Sequence, residues 1–132
     1  MNQIPTEAQE QTTLFQWAAM MSGKWPQLRL CHAIPNGGSR NPIEARHLKE
    51  QGVKAGIPDL FLPCARGGFH GLYIEMKRRK GGRVSIEQKK AIIALMEQGQ
   101  FWTAPGGHRR PLKQRRLFLR LRGVGGQRVM LV

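Results

Sequence analysis

Two short apolar segments joined by a glycine-rich link constrain the fold of this chain more than any other feature. The first segment runs from Asp59 to about Cys64, and the second runs from Leu72 to Lys77. Both have the length of a β-strand, and the link over residues 65–71 is too short for a helical crossover. The two segments are therefore predicted to pair as an antiparallel hairpin. Pro58 suits the start of the first strand because it has no N–H to donate.

The other elements are predicted from hydrophobic spacing, helix caps and glycine stops. Thr6 and Ser85 are the expected N-caps of the first and last helices. The first helix is expected to carry one face with Glu7, Gln11, Leu14, Ala18 and Met21. The predicted helices cover residues 7–21, 43–51 and 86–98, and two further strands cover residues 28–34 and 100–104. The order α-β-α-β-β-α-β predicts an α/β fold, a mixed central sheet flanked by helices.

The charge of the chain is strongly positive and unevenly distributed. The formal net charge is +14 over 132 residues, a length that predicts one domain. Residues 104–132 contain eight Lys or Arg residues and no acid, whereas all eight acids lie before them. Such an excess favours a polyanionic partner, most simply nucleic acid, through phosphate contacts and counterion release. The plain alternative is a basic tail that only aids solubility.

Several protein classes are disfavoured by the sequence. Cys31 and Cys64 are isolated thiols without C-x-x-C spacing, so neither a zinc site nor a disulfide framework is predicted. The polar N-terminus predicts no signal peptide, and no apolar run approaches the roughly 20 residues of a membrane span. The expected location is the reducing cytoplasm, with no membrane partner.

Acidic and basic side chains fall at informative positions on the predicted hairpin. Because side chains alternate along a strand, Tyr73, Glu75 and Lys77 share one face of the second strand. Asp59 stands at the head of the first strand. Two carboxylates can hold a hard divalent cation through oxygen, and a nearby ammonium can stabilise an attacking water or a phosphate. An Asp and an E-x-K at this distance also occur by chance, so the strand context and the basic charge carry much of the weight.

Five motifs in order resemble the VRR-NUC domain, the virus-type replication–repair branch of the PD-(D/E)xK nuclease superfamily, which is common in bacteriophages. The resemblance covers roughly residues 6–103 and implies a restriction-endonuclease-like core. The motifs are Glu7-x-x-x-Gln11, His32-Ala33-Ile34-Pro35-Asn36-Gly37-Gly38, the run from Gly52 to Leu60, Tyr73-Ile74-Glu75-Met76-Lys77 and Ser85-x-x-Gln88.

The resemblance implies a role for five side chains. Asp59 and Glu75 would ligate Mg²⁺ or Mn²⁺, and Glu7 would complete the acidic cluster from the first helix. Glu10, three residues along the same helix, is the alternative to Glu7. Lys77 would orient or deprotonate the nucleophilic water. Since a lysine is ordinarily cationic at neutral pH, charge stabilisation is the preferred role for Lys77. Gln88 would support the site from the following helix.

Two further segments are candidate DNA contacts. One is the loop with Asn36, Gly37 and Arg40, for which an ordinary turn is an equal alternative. The other directly follows the E-x-K strand and is expected to contact phosphates, the alternative being a solvated basic turn. Its basic residues are Arg78, Arg79, Lys80 and Arg83.

The sequence divides into a VRR-NUC-like nuclease domain over residues 1–104 and a basic, atypical C-terminal extension over residues 105–132. The family usually continues with a short helix that contains acids, and here the acids stop. A late change of reading frame is the favoured hypothesis, because the segment lacks amphipathic periodicity. The alternative is a basic DNA-binding extension.

The expected function is a metal-dependent DNA endonuclease that acts as a homodimer on branched DNA such as Holliday junctions. It would work in the cytoplasm of a bacterium or of a phage-infected host. A flap or repair nuclease is the alternative within enzymes. A non-catalytic basic DNA-binding protein is the alternative from another class, and such a protein would not need a metal.

Overall fold

The structure, a computed structural model, describes residues 5–35, 41–77 and 83–103. The elements follow the predicted order α-β-α-β-β-α-β, with one 3-10 helix, Pro26–Leu30, added after the first helix. The predicted boundary at residue 104 falls where the described part ends, and the extension over residues 105–132 lies outside it. The helices are α1 Glu7–Met21, α2 Pro42–Glu50 and α3 Ile86–Glu97, and the strands are β1 His32–Ala33, β2 Leu60–Leu62, β3 Leu72–Ile74 and β4 Phe101–Thr103.

The four strands form a mixed sheet in the order β1-β2-β3-β4. The pairs β1–β2 and β2–β3 are antiparallel, which confirms the predicted hairpin, and β3–β4 is parallel. A parallel pair requires a crossover connection, and α3 provides it. In the register of the sheet, Ile74 lies opposite Leu60 on one side and opposite Thr103 on the other. The α/β fold with a mixed sheet and flanking helices is therefore confirmed.

The two faces of the β2–β3 hairpin differ in what they carry. One face belongs to the core and packs with Leu14 and Ala18 of α1. The other face carries Phe61 and Tyr73, whose rings stack at 4.5 Å between centroids. Because side chains alternate along a strand, Tyr73 and the acids of the hairpin lie on the face away from this core. The sheet residues of the core are Leu60, Leu62, Leu72, Ile74 and Phe101.

The buried stripe of α1 differs in part from the prediction. Leu14 and Ala18 are each 4% exposed and point into the core as predicted. The acid on the same stripe is Glu10, which is 5% exposed, whereas Glu7 is exposed. Glu7 and Glu10 both lie on the Leu14 side of the helix, seven and four residues before it, so the spacing alone does not choose between them. Glu7 is the first residue of α1 and is exposed there, whereas Glu10, one turn further in, is buried.

The predicted strand over residues 28–34 is wrong over most of its length. Residues Pro26–Leu30 form a 3-10 helix, and only His32–Ala33 pair with the sheet. Pro26 begins the 3-10 helix, where a missing N–H is not needed. The Leu28 N–H donates to the Trp25 carbonyl at 3.0 Å, so this segment satisfies its hydrogen bonds locally. Leu28 is buried and Leu30 is 53% exposed, although both fitted one face of a strand.

The cysteines and the membrane expectation can be compared directly with the structure. Cys31 and Cys64 are free thiols, each half-buried. Burial raises the pKa of Cys31 to about 11, so this thiol stays protonated and is a poor nucleophile near neutral pH. Among the helices that the structure describes, none is long and apolar enough to cross a membrane.

Candidate active site and metal centre

Asp59 is placed at the start of β2 by backbone contacts on either side of it. The Ile34 N–H donates to the Asp59 carbonyl at 2.7 Å, which extends the β1–β2 pairing by one residue. Pro58, directly before it, is fully buried. The Asp59 side chain then reaches across to the next strand, where its Oδ2 accepts the Met76 N–H at 2.7 Å. The carboxylate of Asp59 is therefore held beside the backbone that carries Glu75.

Glu75 follows β3 and is held from the other side by β4. Its N–H donates to the Thr103 carbonyl at 2.9 Å, and the residue is only 2% exposed. Its Oε1 receives two donors, Lys77 Nζ at 2.8 Å and Gln88 Nε2 at 2.5 Å. Its Oε2 is buried and has no hydrogen-bond partner among the residues that the structure describes. One carboxylate oxygen is thus fully engaged, and the other is available to a ligand.

The electrostatics of the pair favour a cation. Burial raises the pKa of Glu75 above its ordinary value, and the negative charge of Asp59 raises it further. The hydrogen bonds and charge of Lys77 and the hydrogen bond from Gln88 lower it, but they do not cancel the rise. Hard divalent cations such as Mg²⁺ prefer carboxylate oxygens. A buried carboxylate oxygen without a partner, next to a second carboxylate, fits such an ion.

Gln88 reaches Glu75 because the N-terminus of α3 fixes its side chain. Ser85 and Gln88 form a capping box: Ser85 Oγ accepts the Gln88 N–H at 3.2 Å, and Gln88 Oε1 accepts the Ser85 N–H at 2.9 Å. With its oxygen used by the cap, the Gln88 amide presents its nitrogen to Glu75. One side chain therefore both starts the helix and orients the carboxylate.

Gly56 allows the loop before Asp59 to approach α3 closely. Its φ is +84°, a conformation that residues with a Cβ rarely adopt. A Cβ at this position would lie 2.6 Å from both the carbonyl carbon and the oxygen of Glu87. The loop that leads into Asp59 therefore lies directly on the backbone of the helix that carries Gln88.

The structure brings some of the predicted site residues together and leaves others apart. Asp59, Glu75, Lys77 and Gln88 form one cluster. Glu7 is exposed, and within residues 5–35, 41–77 and 83–103 no group of three or more His, Cys, Asp or Glu side chains is placed to hold a metal. The metal-binding role of Glu7 stays a prediction, and the buried acid of α1 is its alternative, Glu10.

The candidate DNA contacts are only partly described. Arg83 is exposed and lies two residues before the N-cap of α3. The other candidates lie outside the described residues: Asn36, Gly37, Arg40, Arg78, Arg79 and Lys80. The Met76 N–H was not predicted as the partner of Asp59. Pro58 fixes the direction from which Asp59 enters the sheet, but the contact with Met76 depends on the register between two strands, for which the sequence carries no local signal.

A mixed sheet with an aspartate at the head of one strand and an E-x-K at the end of the next is the arrangement of a PD-(D/E)xK nuclease. The sequence model of the VRR-NUC domain matches residues 5–105 of the chain. A solved structure described as a VRR_NUC domain protein is similar, with a TM-score of 0.65 and 33% identity over 78% of this chain and 79% of that chain. A search of curated proteins finds no significant match. The chain belongs to the VRR-NUC domain family.

Membership of this family confirms the resemblance drawn from the sequence motifs and has direct consequences for function. The domain is a nuclease of the PD-(D/E)xK type, a hydrolase for which DNA is the implied substrate. Nucleases of this kind generally use divalent metal ions.

Proposed function

We propose that the protein is a Mg²⁺- or Mn²⁺-dependent endonuclease that hydrolyses phosphodiester bonds in branched DNA, with Holliday junctions as the first candidate substrate. The observation that carries the metal dependence is the Glu75 carboxylate, whose Oε2 is buried without a partner among the described residues while Oε1 holds two donors. An ordinary buried structural carboxylate has both oxygens satisfied, because an unpaired buried polar atom costs free energy. The second oxygen of Glu75 would be satisfied by coordination of a cation.

The side chains of the cluster divide the chemistry between them. Asp59 and Glu75 would hold the metal, with Glu7 or Glu10 as the contribution of α1. When bound, a divalent ion supplies a nucleophile at neutral pH by lowering the pKa of its water. Lys77, 2.8 Å from Glu75 Oε1, places a positive charge beside the site, where it can stabilise the charge that develops on the phosphate. Gln88 acts through Glu75 and is a positioning residue.

The charge of the chain supports DNA as the partner. The net charge of +14 provides phosphate contacts that do not depend on sequence, and exposed Arg83 lies close to the N-terminus of α3. A homodimer with two-fold symmetry would present two sites to the two strands of a symmetric junction. A flap or repair nuclease remains the alternative substrate assignment.

The same charge also favours a second candidate, a basic DNA-binding protein without catalysis. The two candidates differ in their need for a metal. In a binding module, the acids near Glu75 would reduce DNA affinity and a divalent ion would have no specific role. In a nuclease, the acids are required for cleavage and the metal is required with them.

The deciding experiment measures cleavage of a labelled four-way junction, a flap and a linear duplex by the purified chain, each with Mg²⁺, Mn²⁺ or EDTA. We expect cutting with a divalent ion and none in EDTA, with the junction cut fastest. DNA binding without cleavage of any substrate under any of these conditions would contradict the nuclease. If the flap is cut faster than the junction, the protein is a flap nuclease and not a junction-cutting enzyme, and its assignment as a nuclease stands.

The positioning role of Gln88 can be separated from its role as a helix cap. In Gln88→Glu the cap survives, because glutamate also serves at this position of a capping box. The donor to Glu75 is lost and a second carboxylate takes its place. We expect cleavage to fall about 10- to 100-fold, the usual effect of removing an orienting partner at a metal site. Initial rates at saturating metal and DNA measure this.

Ser85→Ala is the matched variant for this test. It weakens the cap, at a cost of about 1 kcal/mol in stability, and leaves the Gln88 amide free to reach Glu75. Thermal unfolding should therefore shift in Ser85→Ala, while its cleavage rate stays close to wild type. If the two variants lose activity in parallel with their loss of stability, Gln88 serves only the helix.

A further inference from the structure

A cavity of about 350 Å³ is lined by residues that neighbour Asp59 and Glu75 in the chain. Its size falls at the lower end of the range for small-ligand sites, about 300–1,000 Å³. Its lining contains more apolar than polar surface, and its polar side chains include Gln51 and Lys54. The residues that define it for this argument are Ile34, Pro35, Val53, Lys54, Ile57 and Tyr73.

The lining of the cavity adjoins the segments that carry Asp59 and Glu75. Tyr73 precedes Glu75 by two positions, so the two side chains lie on one face of the sheet. Ile57 precedes Asp59 by two positions, and Ile34 donates its N–H to the Asp59 carbonyl at 2.7 Å. A ligand in this cavity would therefore lie next to the carboxylates and not on a remote surface of the protein.

The lining combines a flat apolar surface with one positive charge. Tyr73 stacks one side of its ring on Phe61 and is held in place by that contact. Val53 is half-buried, and its N–H donates to the Leu48 carbonyl at 2.9 Å. Lys54 is exposed beside it, with its charge available to an anion. Apolar and aromatic walls suit a planar heterocycle, and an exposed ammonium suits the phosphate attached to it.

We propose that this cavity is a nucleoside subsite that receives the base of one unpaired nucleotide of the DNA substrate, with Lys54 on its phosphate. The proposal rests on the proposed DNA-cleaving function, since it assigns the cavity to the strand that enters the site. A paired base is covered by its neighbours in the duplex, whereas an unpaired base can leave the stack at small cost. The subsite therefore predicts a preference for DNA with unpaired or easily unstacked nucleotides near the cleavage point, as at a flap or a branch point, over linear duplex.

The test compares two probes that differ only in the base, thymidine 5′-monophosphate and its abasic analogue 1,2-dideoxyribose 5-phosphate. Each is titrated in EDTA into the full chain, and binding is followed by the backbone amide signals of Val53, Lys54 and Ile57 in NMR spectra. We expect the nucleotide to bind about tenfold more tightly than the sugar phosphate, because the base gains stacking contacts. Both probes should shift the signal of Lys54.

Two variants assign the two halves of the ligand to the two parts of the cavity. Val53→Trp fills the cavity and should remove the advantage of the nucleotide over the sugar phosphate. Lys54→Gln should weaken both probes by a similar factor and keep the advantage of the base. Lys90→Gln, the same charge change at an exposed position of α3, is the control and should change neither. Lys54→Gln does not alter the core, so the test stands if Val53→Trp fails to fold.

The subsite is overturned if the wild type binds the two probes equally, or if the advantage of the nucleotide survives in folded Val53→Trp. These titrations contain no metal, so they do not depend on cleavage. If the protein cuts DNA but binds the two probes equally, the subsite is contradicted and the nuclease assignment stands. If the protein binds the nucleotide more tightly than the sugar phosphate but cuts no DNA, the nuclease assignment is contradicted and the subsite is confirmed.

Discussion

Glu75→Gln is expected to lower DNA cleavage by at least about 10²–10³-fold while DNA binding stays equal or becomes tighter. The amide keeps the shape of the side chain, and its oxygen can still accept the hydrogen bond from Lys77. It removes the negative charge that a divalent ion requires from its ligand. Loss of one acid also lowers the repulsion of phosphates. Single-turnover cleavage with Mg²⁺ and a binding titration in EDTA measure the two quantities on one preparation.

Glu97→Gln is the control for this change. It makes the same substitution at an exposed position near the end of α3 and should leave both cleavage and binding unchanged. Asp59→Asn should reproduce the loss of cleavage, although its amide can still accept the Met76 N–H through the remaining oxygen. A Glu75→Gln protein that cuts at the wild-type rate would exclude Glu75 as a metal ligand.

Gly56→Ala is expected to reduce both stability and cleavage strongly. The position has a φ of +84°, so alanine there carries a backbone strain of about 1–2 kcal/mol. The added Cβ would also lie 2.6 Å from backbone atoms of Glu87, which cannot rotate away as a side chain can. Relief requires α3 to move away from the loop, and Gln88 moves with it. Overpacking of this kind typically adds about 1–3 kcal/mol.

Gly68→Ala separates the two causes, because Gly68 has the same φ of +84° and no atom within 4 Å of an added Cβ. This variant carries the backbone strain without the collision. We expect thermal unfolding to shift in both variants, more in Gly56→Ala, and cleavage to fall only in Gly56→Ala. Equal shifts and equal activities would mean that the contact between the loop and α3 does not hold the site together.

The local signals in the sequence predicted much of the fold. The link over residues 65–71 is too short for a crossover, so it predicted a hairpin. Ser85, with Gln88 three residues later, predicted the start of α3. Both are short-range features in which the residues that decide the structure are adjacent in the chain. The 3-10 helix at Pro26–Leu30 was missed because its apolar spacing also fits a strand. Burial of Leu28 by distant parts of the chain decides between the two.

The site was predicted less completely than the fold. The strand pattern and the family motifs singled out Asp59, Glu75, Lys77 and Gln88, which the structure places in one cluster. The contact of Asp59 with the Met76 N–H could not be predicted, because it depends on the register between two strands. The orientation of α1 was also hidden, since Glu7 and Glu10 both fit a helical face and only packing against the sheet chooses between them.

The cluster draws its side chains from one continuous stretch of the chain, between Gly56 and Gln88, with β4 closing the sheet beside it. Loop closure within such a stretch is inexpensive in entropy, so these four side chains can be brought together by neighbouring pieces of the chain. A substitution within this stretch is therefore expected to disturb the cluster more than a substitution in the N-terminal helix.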